Sequence, residues 1–430
     1  MPKKIAVIGA GFSGTMVVRQ LMDQGINGTI ELFHLGKTIA TGPAYSEQNP
    51  DLLLNVRSAN MSAFPDDKDH FIRFLQEHFP EHADPSSFCP RYIYGKYLQH
   101  LWKETLHRST KVPITLIVKE GAFVDSPDYS HIVLATGNEL PSIPQVISED
   151  VRSSSLFLEN PWNSQFVVPD SKDPIFILGN GLTMVDTVLN LRKRGATQQI
   201  IALSRHGFQM LSHPNATSVQ TDIILPNKTS LLELLSYFNR KRKTESLGHF
   251  LNRIDACRPF MAMWWQEFSS AEKHFFLKHL RHRWGTVRHR IPTEIAQQIT
   301  SEKANGNLHV LAGKLLETEL QDGKLLIRYT AEGGDQTIRC SLFINCTGPE
   351  ISIEQMSNPT IQQFLTNEWI LPDEVQQGIL IDPKRHIARG KSKIPIYAMG
   401  NLCKGTFWES TAIGELRSQA KLIAKDILQH

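Results

Sequence analysis

Apolar positions along the chain fall into short blocks with two recurring arrangements. Lys4–Ile8 is an apolar run that stops at a glycine turn; an amphipathic stretch, Ser13–Gln24, and a second run, Thr29–His34, follow. This succession predicts strand, helix and parallel strand with short connections. It recurs from Pro174, with a run at Ile175–Leu178, a glycine turn, a helix through Arg194 and a strand at Ile200–Ser204. Between the two, residues 36–64 read as irregular. Asp67–Phe79 and Arg91–His107 have helical periodicity, and Ile114–Val118 and His131–Ala135 read as strands. Pro141–Asp173 is rich in Pro, Ser and Asn and reads as a linker. Residues 229–300 read as helical and hold Trp264, Trp265 and Trp284. Lys314–Leu320 and Lys324–Tyr329, joined by Gln321-Asp322-Gly323, predict a hairpin. Strands at Leu342–Cys346 and Ile396–Met399 and a helix from about Thr411 to Ile427 close the pattern.

Two strand–helix–strand units, with strands returning after the second, predict an α/β fold of two Rossmann-like dinucleotide-binding domains, the second inserted into the first. The expected boundaries are 1–168 plus 334–430 for the first domain and 169–333 for the second. The latter includes a helical subregion at about 229–300. A chain of 430 residues is long enough for two or three cores.

Composition narrows the function. A hydrophobic fraction of 41% and a charged fraction of 21% are those of a globular chain. A net charge of +3 does not favour nucleic acid or anionic membrane as partners. No apolar stretch approaches the ~18 residues of a membrane span. The opening Met1-Pro2-Lys3-Lys4, with its short apolar run, does not read as a signal peptide. The five cysteines form no C-x-x-C pair, so a reducing, cytoplasmic setting is expected, with neither a metal site nor a redox dithiol.

The candidate chemistry lies in the glycine turns. Gly9-Ala10-Gly11-Phe12-Ser13-Gly14 follows a strand and opens a helix, the context in which G-x-G-x-x-G binds a dinucleotide. Gly9 makes the tight turn, Gly11 lets the backbone approach a pyrophosphate, and Gly14 lets the helix pack on the strand. The helix N-terminus offers free N–H groups to the phosphates. An acidic residue is expected at the end of the second strand to hold the adenosine ribose; His34 stands there, and Glu31 should face the other side. The second turn, Gly179-Asn180-Gly181-Leu182-Thr183-Met184, keeps its first two glycines and replaces the third by Met184. The strand after it ends in Ser204-Arg205-His206. Arg205 is placed for a 2′-phosphate, which favours NADPH over NADH. Two buried runs end in Thr-Gly, at Gly137 and Gly348, where a chain could cross between nucleotide domains.

Arg281-His282-Arg283 and Arg288-His289-Arg290 are either a solvated basic helix face or an anion site for substrate or nicotinamide phosphate. Trp264 and Trp265, at helical spacing with Phe260, Met261 and Phe268, read as core before cofactor wall. Cys403 and His206 lack a recognisable partner, and no acid–base residue is assigned.

The chain resembles the flavoprotein family that includes FAD-dependent urate hydroxylase and aspartate N-monooxygenase. The resemblance rests on Gly9–Gly14, Gly42-Pro43-Ala44-Tyr45-Ser46, Leu53-Leu54-Asn55-Val56, Met61-Ser62-Ala63-Phe64-Pro65 and Pro90-Arg91-Tyr92-Ile93-Tyr94-Gly95. It extends to Arg288-His289-Arg290-Ile291-Pro292 and Gly405-Thr406-Phe407-Trp408-Glu409-Ser410-Thr411-Ala412. It implies FAD held by Gly9, Gly11, Ser13 and Gly14, with Asn55 and Ser62 near the isoalloxazine ring. Gly400-Asn401 stands where a Gly-Asp pair usually holds the ribityl-phosphate region, and the helix opening near Thr411 would point at the flavin. Arg288 and Arg290 become candidate substrate contacts. The implied activity is an NAD(P)H-consuming monooxygenase that hydroxylates a small nitrogen-containing substrate with molecular oxygen, through a flavin C4a-hydroperoxide. An NAD(P)H-dependent flavin reductase or oxidase, and a non-catalytic flavin-binding redox sensor, remain the alternatives.

Overall fold

The computed structural model describes residues 2–36, 38–162, 166–214 and 230–430. Residues 163–165 of the expected linker, and residue 229 at the start of the expected helical stretch, lie outside these.

The first sheet holds β1 (Lys3–Ile8), β2 (Gly28–His34), β3 (Ile114–Glu120), β4 (His131–Leu134) and, far along the chain, β13 (Ile396–Ala398), in the order β13-β4-β1-β2-β3. All pairs are parallel. A parallel sheet is covered on both faces, which is why β4 reads as an unbroken buried run. One face packs on the helices Phe12–Asp23 and Ile413–Gln429, whose Val17, Leu21, Ala420 and Ile423 belong to one buried cluster. The other face packs on Phe123, Ile361, Phe364 and Ile379.

The second sheet is also parallel and runs β5-β12-β6-β7-β8. It comprises β5 (Phe157–Leu158), β6 (Ile175–Leu178), β7 (Ile200–Ser204), β8 (Leu308–Ala312) and β12 (Leu342–Asn345). Beside it lies an antiparallel sheet of β9 (Lys314–Gln321), β10 (Lys324–Ala331) and β11 (Gly334–Cys340). The hairpin turn is as expected: Asp322 and Gly323 have φ of 50° and 71°, the left-handed pair that suits the strand twist. The third strand of this sheet was not expected.

Sheet membership moves the boundaries. β5 lies before residue 168 and β12 after residue 334, yet both belong to the second sheet. The chain instead crosses between the units just after the two Thr-Gly turns. There Pro141 and Pro349 form an antiparallel bridge, and the Glu350 amide donates to the Leu140 carbonyl at 2.9 Å. The insertion topology stands; the boundaries at 168 and 334 do not.

Helices from Leu231–Thr244 to Thr293–Ala304 make up the helical subregion. Ser230 and Ser269 each start a helix with a reciprocal capping box. Trp264 and Trp265 are 3% and 2% exposed, so the core reading holds for both. The Trp265 ring stacks on Trp408, and its Nε1 donates to the Gly405 carbonyl at 2.8 Å, fastening the subregion to the first unit. No helix among the described residues is long and apolar enough to cross a membrane.

Candidate functional site

The glycines of the first turn serve three different needs. Gly9 has φ 107°, and a Cβ there would lie 2.2 Å from the Ala135 carbonyl oxygen; a Cβ at Gly14 would lie 1.8 Å from the Gly9 oxygen. Both are sites of close packing. A Cβ at Gly11 would meet only the Gly42 Cα, at 3.9 Å, because Gly11 faces open space. That space is a cleft of about 600 Å³ at the mouth of the helix Phe12–Asp23. Gly9, Gly11, Ser13, His34, Gly400, Asn401 and Thr411 all line it with Gly137 of the first Thr-Gly turn, so the expected cofactor residues of the first unit converge on one cavity.

The cleft wall carries unanswered polar groups. Both side-chain amide atoms of Asn401 and the Oγ1 of Thr41 are buried and unpartnered, and both residues line the cleft. A buried amide left unbonded costs about 1–3 kcal/mol per group, so these atoms call for a polar ligand. Asn401 is held in place by its neighbours. The Gly400 amide donates to Gln419 Oε1 at 2.9 Å, Gln419 Nε2 donates to the Ser410 carbonyl at 3.1 Å, and Ser410 Oγ donates to the Gly400 carbonyl at 2.7 Å. This closed ring fixes Gly400-Asn401 against the start of the helix Ile413–Gln429.

His34 uses Nδ1 to donate to the Gly36 carbonyl at 2.8 Å. Its Nε2 then carries the lone pair and can accept from a ribose hydroxyl, the task a carboxylate usually performs. Glu31 faces away, as the strand period requires, and is held by Lys119 at 2.6 Å, by the Tyr129 hydroxyl and by Lys4 at 3.7 Å.

Asn55 and Ser62 are not among the residues lining the cleft. The Asn55 carbonyl accepts from His213 Nε2 at 3.0 Å, which joins that loop to the second unit. Ser62 is fully buried; its Oγ donates to the Asp67 carbonyl at 2.5 Å and its carbonyl accepts from Arg417 at 2.7 Å. Its hydroxyl is spent on folding the loop.

The second turn repeats the first. Gly179 has φ 110°, with its notional Cβ 2.2 Å from the Cys346 oxygen, and Gly181 faces open space. Met184, where a third glycine would stand, is buried in the core between sheet and helix. Asn180 Nδ2 donates to the Phe208 carbonyl and ties the turn to the loop after β7. Arg205, on that loop, donates to His282 Nε2 at 2.8 Å.

The candidate substrate arginines part company. Arg288 lies beside the first unit's closing segment, with its Nε 2.9 and 3.0 Å from the two oxygens of Glu409. Glu409 follows a tight turn at Trp408, whose φ of 52° and ψ of −62° are unusual for so large a residue. Arg290 is 2% exposed, bonded to Asp255 and to the Leu251 carbonyl. It is a structural ion, and its expected contact with substrate is not supported. The alternating environments of residues 288 and 290 depend on a helix ending at Arg288, which the repeated basic pattern did not reveal.

Sequence reasoning gave no role to Lys404 or to Thr41. The Lys404 ammonium makes no hydrogen bond or ion pair among the described residues; burial, reinforced by Arg281, pulls it down to about 8. All five cysteines are buried, unpaired thiols.

Residues 6–147 match the family model of FAD-NAD(P)-binding proteins. The uncharacterised protein YdhS of Escherichia coli K12 is 20% identical over 259 residues, 55% of this chain and 47% of its own length, so the match spans about half of that relative. Among solved structures, the ornithine hydroxylase of Pseudomonas aeruginosa aligns over all of both chains with a TM-score of 0.66 at 14% identity. The ornithine N-hydroxylase of Kutzneria sp. 744, solved with reduced FAD, NADP+ and L-ornithine, aligns over 100% of this chain and 99% of its own, at a TM-score of 0.63 and 12% identity. The L-lysine 6-monooxygenase of Pseudomonas syringae aligns over the same shares with a TM-score of 0.63 at 13% identity. The chain therefore has the fold of flavin-dependent monooxygenases with two nucleotide-binding units, end to end.

Proposed function

We propose that this chain is an FAD-dependent, NADPH-consuming monooxygenase that hydroxylates a small nitrogen-containing substrate with molecular oxygen. The observation that carries the reading is the repeated turn. Gly9 and Gly179 each press against the strand carbonyl that precedes a Thr-Gly crossover, and Gly11 and Gly181 each leave an open cradle at a helix start. Thr183 and Gly348 of the second unit line the first unit's cleft, so the two cradles adjoin.

Flavin, when bound, supplies hydride acceptance from the nicotinamide and transfer of one oxygen atom from dioxygen to substrate. The protein's own tasks are binding and shielding. The open backbone at Gly11 and the N–H groups of the helix Phe12–Asp23 hold a pyrophosphate. His34 Nε2 accepts from a ribose hydroxyl, and Asn401 and Thr41 satisfy their buried polar atoms on the ligand. Gly181 and the helix Leu182–Lys193 do the same for NADPH, with Arg205 toward its 2′-phosphate. Five unpaired cysteines fit a cytoplasmic protein.

The fold neighbours named for ornithine and lysine hydroxylation guide the choice of substrates. The test follows NADPH oxidation, oxygen uptake and peroxide release by the flavin-loaded protein with ornithine, lysine, aspartate and urate in turn. The expected result is faster NADPH oxidation with one nitrogen compound, a hydroxylated product matching NADPH consumed, and little peroxide. Rapid oxidation that returns all electrons as peroxide, whatever is added, would make the protein an oxidase and overturn the reading.

A further inference from the structure

Three basic groups meet in this molecule without an acid among them. Arg205 Nη2 donates to His282 Nε2 at 2.8 Å, and Arg281 Nε reaches the same nitrogen at 3.4 Å. Two guanidiniums therefore converge on one imidazole lone pair. Neither arginine has a carboxylate partner in any ion pair among the described residues, whereas Arg258, Arg288 and Arg290 nearby each have one. Those three arginines are neutralised by a carboxylate, and Arg205 and Arg281 are not.

Its position is equally specific. Arg205 follows β7, the second strand of the second unit, where the far ribose of a dinucleotide lies. Arg281 and His282 come from the opening turn of the helix Arg281–Arg288 in the inserted subregion. The loop between is stiffened: His206 stacks on Phe208 at 5.1 Å, Arg283 lies over the Phe208 ring, and the Phe208 carbonyl accepts from Asn180 of the glycine turn. The glycine cradle and the basic cluster thus belong to one connected surface. Arg283 is engaged by the ring, which leaves Arg205, Arg281 and His282 as the open donors.

We propose that Arg281 and His282 complete the 2′-phosphate site with Arg205, so that the helical subregion is a reader of NADPH against NADH. This rests on the proposed binding of a nicotinamide dinucleotide by the second unit. A phosphate dianion seated among the three would accept from both guanidiniums and draw a proton onto His282 Nε2, which then becomes a third donor. In the free protein that nitrogen accepts from the two guanidiniums and so carries no proton. Burial first, then the charges of Arg281, Arg205 and neighbouring His206, pull the imidazole down to about 4. No acidic group faces it to offset them. Binding of the 2′-phosphate is therefore coupled to proton uptake and strengthens as pH falls from neutrality, as long as the phosphate keeps its second charge.

The experiment titrates the flavin-loaded protein with 2′,5′-ADP and with ADP by calorimetry, in buffers of different ionisation enthalpy. Expected for the unaltered protein are tighter binding of 2′,5′-ADP than of ADP by at least about tenfold, and uptake of a fraction of a proton with 2′,5′-ADP alone. Arg281→Gln and His282→Gln should each weaken 2′,5′-ADP by about five- to tenfold and leave ADP unchanged; His282→Gln should also abolish the proton uptake. Arg281 is half-buried and His282 exposed, and neither belongs to a buried core cluster, so the variants should fold, and unchanged ADP binding reports that they have. If both variants keep full preference for 2′,5′-ADP while Arg205→Gln loses it, the subregion is not a reader and the inference fails alone. If neither nucleotide binds the unaltered protein, the dinucleotide reading of the second unit fails with it.

Discussion

Arg91 and Asp186 join the two nucleotide units through a double hydrogen bond, Nη1 to Oδ2 at 2.7 Å and Nη2 to Oδ1 at 3.0 Å. Arg91 opens the helix Arg91–Ser109 of the first unit and lines the cleft; Asp186 lies in the first turns of Leu182–Lys193, the helix that would hold the nicotinamide dinucleotide. Both side chains are largely buried. Removing one partner leaves a buried unpaired charge, so Arg91→Leu or Asp186→Leu should each cost about 3–5 kcal/mol. The Arg91→Leu, Asp186→Leu double variant should recover much of the loss. Denaturant unfolding of the three variants checks this; additive losses would show that the pair is not coupled.

The two faces of the first glycine turn predict opposite failures. Gly11→Val points a branched side chain into open cleft, so the protein should fold and purify with little flavin. Gly14→Val forces carbon against the Gly9 carbonyl and should prevent folding of the first unit. Absorbance at the flavin band, read beside circular dichroism, separates them. Normal flavin content in Gly11→Val would mean that the pyrophosphate lies elsewhere.

Asn401→Leu should move stability and cofactor retention in opposite directions. It removes two buried, unbonded polar atoms, so the flavin-free protein should gain about 1 kcal/mol. It also removes a ligand-facing amide, so flavin should dissociate more readily, by about tenfold. Thermal melts with and without added FAD read both signs; a loss of apo-protein stability would show that the amide is bonded within the fold.

Glu31 carries a pH signature. Burial alone would raise its carboxyl, but bonds from Lys119 and Tyr129, with the charges of Lys119 and Lys4, outweigh it and hold the group below its ordinary 4.5. A depressed carboxyl contributes stability above its unfolded value and loses it as pH falls through the folded one. Glu31→Gln should therefore cost about 1–2 kcal/mol near neutrality, reduced by the solvent exposure of Lys119. The gap from the unaltered protein should close as pH falls below 4.5. Flavin content should be unchanged, because the residue faces away from the cleft.

Much of the architecture was legible because it is encoded locally. Each glycine turn stands between an apolar run and an amphipathic helix, and Asp322-Gly323 names its own turn type. Sheet membership was not, because β12 pairs with β6 at a separation of 167 residues and β5 has only two residues. For the site, residues whose role is backbone geometry were found, since a glycine's reason to exist is local. The ties of Ser62 and Arg290 gave no signal because their partners, Asp67, Arg417 and Asp255, are set by tertiary packing. Thr41 gave no signal at all, being distinguished only by burial without a partner.

The insertion topology also orders assembly in time. As the chain leaves the ribosome, every strand of the second sheet has emerged by Asn345, whereas the first sheet still lacks its edge strand Ile396–Ala398 and the helix Ile413–Gln429 that covers Phe12–Asp23. The unit begun first is thus the last to be finished, and its opening helix must wait, one apolar side uncovered, through some four hundred residues of translation. Truncation of that final helix should consequently release a protein whose inner unit is sound and whose outer unit is a target for chaperones.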